Sequence, residues 1–260
     1  MTQRPSDSVV TVLQISDTHL HGAADSRMRG VTTYATLLAV LDQVRRDRRW
    51  PPDVILATGD IVQDESRAGY DRFRATMEPL GVPVLSIPGN HDDPKLMGEI
   101  LNSGSFQFGG ELRHGPWSIL LLSTFLAGED AGGLGPARLQ GLRKALAAHV
   151  GQHVLVAMHH HPLPMGSIWL DGVALRDAKD FWQIIDAHPE VRGVVCGHVH
   201  QAHDQERNGL RFMSTPSTCA QFLPHSDFFA LDDRPPGLRW LELHADGRIE
   251  TEVTWVPKAG

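Results

Sequence analysis

Short apolar runs recur along the chain, separated by polar stretches that contain Gly and Pro. Residues 9–15, 54–57, 82–87, 119–122, 154–158 and 191–196 are rich in Val, Ile and Leu. Their length and their lack of polar alternation predict strands buried on both faces. Helical spacing fills the gaps. Leu37, Leu38, Leu41 and Val44 are expected on one face of a helix over 33–48. Further helices are predicted over 66–77, with Ser66 as N-cap and Pro79 beyond the end, over 136–148, with Pro136 in the first turn, and over 178–187. Strand and helix alternate through the first two-thirds, which predicts an α/β layered sheet. The last third changes character. Residues 210–213, 228–231, 238–243 and 249–256 read as strands with short turns such as Ala245-Asp246-Gly247. That predicts a second, more antiparallel sheet and hence an α/β sandwich. No repeat occurs, and no linker is long or biased enough to divide the chain. Residues 1–260 are therefore read as a single domain, with Arg234-Pro235-Pro236-Gly237 as a loop.

Five of these strands run directly into residues that can ligate metals. Asp17-Thr18-His19 follows the first, Gly59-Asp60 the second and Gly89-Asn90-His91-Asp92 the third. His159-His160-His161 and Gly197-His198-Val199-His200 follow the strands at 154–158 and 191–196. Ligands of open α/β sheets bind at this carboxyl edge. Each motif alone is weak, since Gly-Asp and Gly-Asn are ordinary turn pairs and an isolated DxH or HxH is more often incidental. Their joint occurrence in consistent order is what argues for a site. Carboxylate, imidazole and amide oxygen without thiolate suit Mn, Fe, Zn or similar ions. Asp17, His19, Asp60, Asn90, one histidine of the 159–161 run, His198 and His200 are too many ligands for one ion. Two ions sharing a bridging carboxylate, about 3.5–4 Å apart as in two-metal hydrolases, would use them.

Composition narrows the reading. The chain has 260 residues, 41% apolar and 21% charged, as a soluble globular protein has. A net charge of -7 argues against a nucleic-acid groove or an anionic membrane as partner. It leaves room for a small phosphate ester, because bound cations invert the local charge. Cys196 and Cys219 form no CxxC pair, so neither a disulfide framework nor a thiolate zinc site is expected. Residues 1–8 are polar without a signal-type apolar stretch, and the most apolar run, 119–122, is too short to span a bilayer. A cytoplasmic location follows as the expectation.

The order DxH, GD, GNHD, His cluster, GHxH resembles the calcineurin-like metallophosphoesterases. Gly59 to Asp64, His159 to Pro164, Gly197 to Gln201, Thr215 to Cys219 and Leu243 to Gly247 further resemble the bacterial class III 3′,5′-cyclic AMP phosphodiesterases, over nearly the whole chain. The resemblance implies a four-layer α/β/β/α sandwich with two mixed sheets. It implies one metal on Asp17, His19, Asp60 and His200 and another on Asp60, Asn90, His159 and His198, with Asp60 as the bridge. Matching the first histidine of the run selects His159, with His160 as the alternative and His161 as a loop residue. Fe and Mn are the expected pair, with Zn or Co as substitutes.

The implied reaction is hydrolysis of cyclic AMP to 5′-AMP by a hydroxide bridging the two ions. His91 resembles the family's general acid. Asp92 either orients its imidazole or caps a helix ahead of Pro94. Asn90, His91 and His200 are expected to touch substrate as well. Thr215 to Cys219 and Gln221-Phe222 are expected near the metals by resemblance. Phe222 could stack on a base or lie in the core. His203 and His225 could lie near the metals, and Arg27 and Arg176 could meet phosphate, but exposed histidines and solvated or ion-paired arginines are the simpler reading. The expected partner is a small phosphodiester, with no nucleic acid, no membrane and a homodimer as one possible assembly. A broad phosphodiesterase acting on 2′,3′-cyclic nucleotides or glycerophosphodiesters is the alternative. A non-catalytic module retaining the fold would be expected to have lost ligands, and none of the expected positions is lost here.

Overall fold

All four residues of Val54–Ala57 and all five of Trp117–Leu121 are buried, so these strands are covered on both faces. The computed structural model describes residues 9–149 and 151–257. Residues 1–8, and the expectation that they carry no targeting signal, lie outside the described residues. In chain order the strands are β1 (Val10–Ile15), β2 (Arg27–Met28), β3 (Val31–Thr32), β4 (Val54–Ala57), β5 (Val84–Ser86), β6 (Phe106–Phe108), β7 (Gly110–His114), β8 (Trp117–Leu121), β9 (His153–Ala157), β10 (Val191–Cys196), β11 (His203–Arg207), β12 (Leu210–Ser214), β13 (Gln221–Phe222), β14 (Leu231–Asp232), β15 (Gly237–Leu243) and β16 (Ile249–Trp255). The helices are α1 (Thr33–Val44), α2 (Arg67–Met77), α3 (Pro94–Ile100), α4 (Gly135–Ala147), α5 (Ile168–Asp171) and α6 (Ala178–Ile185).

Among the described residues two six-stranded mixed sheets form, ordered β16-β15-β1-β4-β5-β6 and β11-β12-β10-β9-β8-β7. Side-chain alternation sorts the core into three layers. Leu13 and Ile15 of β1 turn outward onto Leu37, Leu41, Tyr70 and Phe73 of α1 and α2. Val10 and Val12 turn inward and meet Trp117, Leu155 and Val195 of the other sheet. On that sheet's outer face Val154, Val194 and Phe212 pack on Leu142 of α4 and Phe181 of α6. The result is the expected α/β/β/α sandwich.

Three details differ from the sequence reading. The second sheet is not built by the last third alone. β8, β9 and β10 form its centre, while β15 and β16 return to the first sheet. Leu38 is 44% exposed, and Val40 takes its place in the buried face of α1. The i, i+3, i+4, i+7 spacing of 37, 40, 41 and 44 turns position 38 about 100° away. The strand expected over 228–231 reduces to Leu231–Asp232 paired with Gln221–Phe222, and Phe228 is 81% exposed. Ser66 caps α2 as expected, accepting from Gly69 N–H at 3.2 Å. The start of α3 is capped by Asp93, which accepts from Lys95 and Leu96 N–H, and not by Asp92.

Candidate metal centre

The parallel strands of both sheets end at one edge, and the loops beyond them are stitched together by backbone bonds. Asp17 N–H donates to Gly59 O at 3.0 Å, His19 N–H to Asp60 O at 2.9 Å and Gly197 N–H to His159 O at 3.1 Å. Gln14, buried between the sheets, donates to Thr58 Oγ1 at 3.0 Å and across to Cys196 O at 3.1 Å. Side chains from both sheets therefore converge on one point.

Five residues at this edge hold left-handed backbone: Asp17 (φ 53), His19 (φ 44), Asp60 (φ 50), His198 (φ 67) and His200 (φ 49). Each costs about 1–2 kcal/mol in a non-glycine residue, and such strain clusters at functional sites. Two glycines permit the crowding. A Cβ on Gly89 would lie 2.1 Å from Asp60 Oδ1, and one on Gly197 would lie 2.0 Å from Ser16 Oγ. That is why glycine precedes Asn90 and His198.

Ligand atoms gather in two groups around Asp60. On one side Asp60 Oδ2 is 3.6 Å from His19 Nε2. His19 Nε2 is 3.1 Å from His200 Nε2, which is 3.4 Å from Asp17 Oδ1. On the other side Asp60 Oδ1 is 3.5 Å from His159 Nε2, which is 3.3 Å from Asn90 Oδ1. The His198 ring packs against His159, with centroids 5.0 Å apart. Ligands about 2.1 Å from one ion at 90–110° lie roughly 3.0–3.5 Å from each other, close to these spacings.

The hydrogen bonds behind the ligands also fit cations. His159 Nδ1 donates to Thr58 O and His200 Nδ1 donates to Ala220 O, each at 2.7 Å. In the neutral rings that leaves both Nε2 lone pairs facing the site, as in metal-ligating histidines. His198 Nε2 is buried with no hydrogen-bond partner among the described residues. Burial pushes the His198 imidazole well below its usual range and His19 down to about 3. Both are thereby held neutral, the form that ligates. Burial also opposes a charge on His159, but the Asp60 and Asp17 carboxylates win and hold it up to about 9. The buried carboxylates thus call for positive charge, which a cation would supply in place of that proton.

His160 is occupied elsewhere, although its ring lies within reach of His159 and His198. Its Nδ1 is 2.7 Å from Thr124 Oγ1 and its Nε2 is 3.1 Å from Asp130 O. His161 is buried and stacks on His198, with centroids 5.7 Å apart. The Asp92 carboxylate takes neither of its two expected roles, orienting His91 or capping α3. It accepts from Gly89, Ile61 and Val62 N–H and from Tyr70 Oη, joining the Asp60 and Asn90 loops. The partner of His91 Nδ1 is Gln63 Nε2, at 3.1 Å. The His91 backbone N–H donates to Asp60 Oδ1 at 2.9 Å.

Thr215 to Cys219 buttress the centre from behind. Ser217 Oγ donates to Asp17 O at 2.7 Å and Thr218 N–H to Ser16 O at 3.1 Å. Both cysteines are buried and free. Phe222 lies flat on His200, with centroids 4.0 Å apart and planes 8° from parallel. Arg176 pairs with Glu129, and His203 bonds to Gln205. Arg27, Arg176, His203 and His225 do not line the cleft of about 320 Å³ above the ligands. Arg29, Trp169 and Phe229 do, and sequence reading missed them, because nothing local marks a loop arginine or an aromatic as facing a site. Thr58 and Ala220 were missed because they act through backbone carbonyls, which carry no side-chain signature. No helix among the described residues is long and apolar enough to cross a membrane.

Comparison with known proteins agrees with the geometry. The 3′,5′-cyclic adenosine monophosphate phosphodiesterase CpdA of Vibrio vulnificus is 42% identical over 249 residues, covering 95% of this chain and 90% of that protein. CpdA of Escherichia coli is 40% identical, covering 94% and 89%. A dimetal phosphatase from Danio rerio superimposes with a TM-score of 0.65 at 18% identity, covering 96% of this chain and all of that one, a likeness of fold. The profile of the Calcineurin-like phosphoesterase family matches residues 10–202, and the chain belongs to that family.

Proposed function

We propose that the protein is a dinuclear-metal phosphodiesterase that hydrolyses 3′,5′-cyclic AMP to 5′-AMP. The observation that carries the metal chemistry is the division of Asp60, whose two carboxylate oxygens face two separate ligand groups. The substrate rests on the similarity to cyclic AMP phosphodiesterases over most of both chains. In this reading Asp17, His19, Asp60 and His200 hold one ion, and Asp60, Asn90, His159 and His198 hold the other. Fe and Mn are the proposed pair. When bound, the ions supply Lewis acidity toward the phosphate and an activated water.

The chain's own residues do the rest. The His91 amide bond to Asp60 Oδ1 fixes that residue beside the bridge. With Nδ1 held by Gln63, Nε2 is the ring nitrogen left to give a proton to the departing 3′-oxygen. Asn90 and His200, which line the same cleft, complete the phosphate seat. A cytoplasmic location and a homodimer belong to the same proposal, the latter to be checked by light scattering.

The test is a hydrolysis panel with metal-reconstituted apoprotein. Expected is a kcat/KM for cyclic AMP well above those for 2′,3′-cyclic AMP and glycerophosphodiesters. A flat profile would replace this reading with a broad phosphodiesterase. No turnover with Mn, Fe, Co or Zn would point to a binding module.

A further inference from the structure

The cleft above the metal ligands has a second wall that the hydrolytic chemistry does not use. Trp169 from α5 meets Phe222 and Phe229 edge to face, with centroids 5.2 and 5.3 Å away. Phe222 and Phe229 are themselves 5.4 Å apart. Phe222 continues onto His200 in a parallel stack, so the apolar wall reaches directly from the ligand group. Arg29, from the turn between β2 and β3, lies over Phe229 with its guanidinium carbon 4.4 Å from the ring centroid. Among the described residues it has no carboxylate within ion-pair distance, while Arg176, Arg207 and Arg211 each pair with one.

A guanidinium held over a ring face by cation–π attraction still has N–H donors to offer a ligand. An exposed arginine would ordinarily be solvated or paired. This one is held by an aromatic face at the mouth of a cleft whose floor carries His19, Asp60, Asn90, His198 and His200. We infer that Arg29, seated on Phe229, is the residue that reads the nucleobase. The cation–π contact fixes the fork, Trp169 and Phe229 give the base an apolar flank, and the fork donates to acceptors on the purine edge. Guanine offers such a fork two acceptors, N7 and O6, whereas adenine offers N7 beside a donor. The wall therefore accepts both purines and does not exclude cyclic GMP. This inference rests on the phosphodiesterase reading above.

The experiment compares cyclic AMP with ribose 3′,5′-cyclic phosphate, which keeps the ester and sugar but has no base. In Arg29→Met the ratio of kcat/KM values, cyclic AMP over the base-free ester, should fall about tenfold, the weight of one hydrogen bond from a charged donor to adenine N7. The change should lie mainly in KM. Phe229→Leu should lower the ratio too, and the double variant should fall by less than the product of the two, because both act through one contact. Unchanged kcat/KM for both esters in Arg29→Met, or an equal loss on both that leaves the ratio unchanged, would overturn the assignment. The second result would mean that Arg29 serves the phosphate. Failure of the underlying reading looks different, since wild-type protein would then turn over other phosphodiesters but not cyclic AMP.

Discussion

Asp92→Asn separates two roles for one carboxylate. Oδ2 accepts from Gly89 N–H at 2.9 Å and from Ile61 N–H at 3.2 Å. Oδ1 accepts from Ile61 N–H at 3.1 Å, Val62 N–H at 3.2 Å and Tyr70 Oη at 2.9 Å. An asparagine keeps one acceptor. With its NH2 at the Oδ2 position, Gly89 N–H loses its partner. With its NH2 at Oδ1, Val62 N–H does, while the Tyr70 hydroxyl can turn to accept. Either way one buried backbone donor is orphaned, at about 1–3 kcal/mol, and the surviving bonds lose their charge assistance. The expected net loss is about 1–3 kcal/mol of stability. Burial and the Asp60 charge push the Asp92 carboxyl up to about 7, so ionising it costs stability as pH rises toward 7 and partly offsets these bonds; urea unfolding near pH 8.5, where the carboxylate dominates, reads the net effect. The m-value should hold while the midpoint falls. If Asp92 served only to orient His91, the variant would unfold like wild type and lose kcat alone. A stability within about 0.5 kcal/mol of wild type, the range of ordinary surface substitutions, would refute the clamp.

Metal stoichiometry tests the ligand groups directly. Elemental analysis of Asp60→Ala should show both ions lost, whereas His198→Ala should lose mainly one; equal losses would remove Asp60 as the bridge. His159→Ala should lower metal content, but His160→Ala should retain both ions and lower the melting temperature, since it removes bonds to Thr124 and Asp130 O. In His91→Ala, metal content should stay while turnover of alkyl esters falls by 10²–10⁴, the usual range for a general acid. Esters with good leaving groups should suffer less, and equal loss on both would argue against proton donation. Glu111→Gln probes a site far from the metals. Burial works to raise the Glu111 carboxyl, but bonds from Arg113, His149 and Ser118 win and draw it from 4.5 down to about 2. A depressed folded-state value gives stability that is present above pH 4.5 and lost as pH falls toward 2. At 1.36 kcal/mol per unit that is at most about 3 kcal/mol, and less after solvent screening. The gap between wild type and variant should therefore shrink from pH 6 to pH 3; a constant gap would mean the charge is not the source.

Most of the ligand set was legible because strand ends are local features. An apolar run that stops at Asp17, Asp60, Asn90, His159 or His198 places that residue at the sheet edge whatever the strand pairs with. The Gly residues beside them could be read the same way, since crowding at the edge leaves no room for a Cβ. Asp92 misled because adjacency in sequence suggested contact with His91. The backbone turns successive side chains apart, and Gln63, 28 positions away, is the residue that meets His91. The choice among His159, His160 and His161 was similarly open, because three neighbours of one type differ only in where their ring nitrogens point.

The residue types at the edge, the alternation of strand and helix, and the family pattern that joins them are all readable along the chain. It takes the folded sheets to show that Asp17, His19, Asp60 and Asn90 come from one sheet while His159, His198 and His200 come from the other. Folding sets Asp60 between two ligand groups, supplies the Thr58 and Ala220 carbonyls, and brings Arg29 to Phe229 across 200 positions. The reason is physical. Strand formation and its end are governed by near neighbours, whereas side-chain direction and carbonyl placement follow from left-handed backbone and from packing between sheets, which no local stretch of sequence contains.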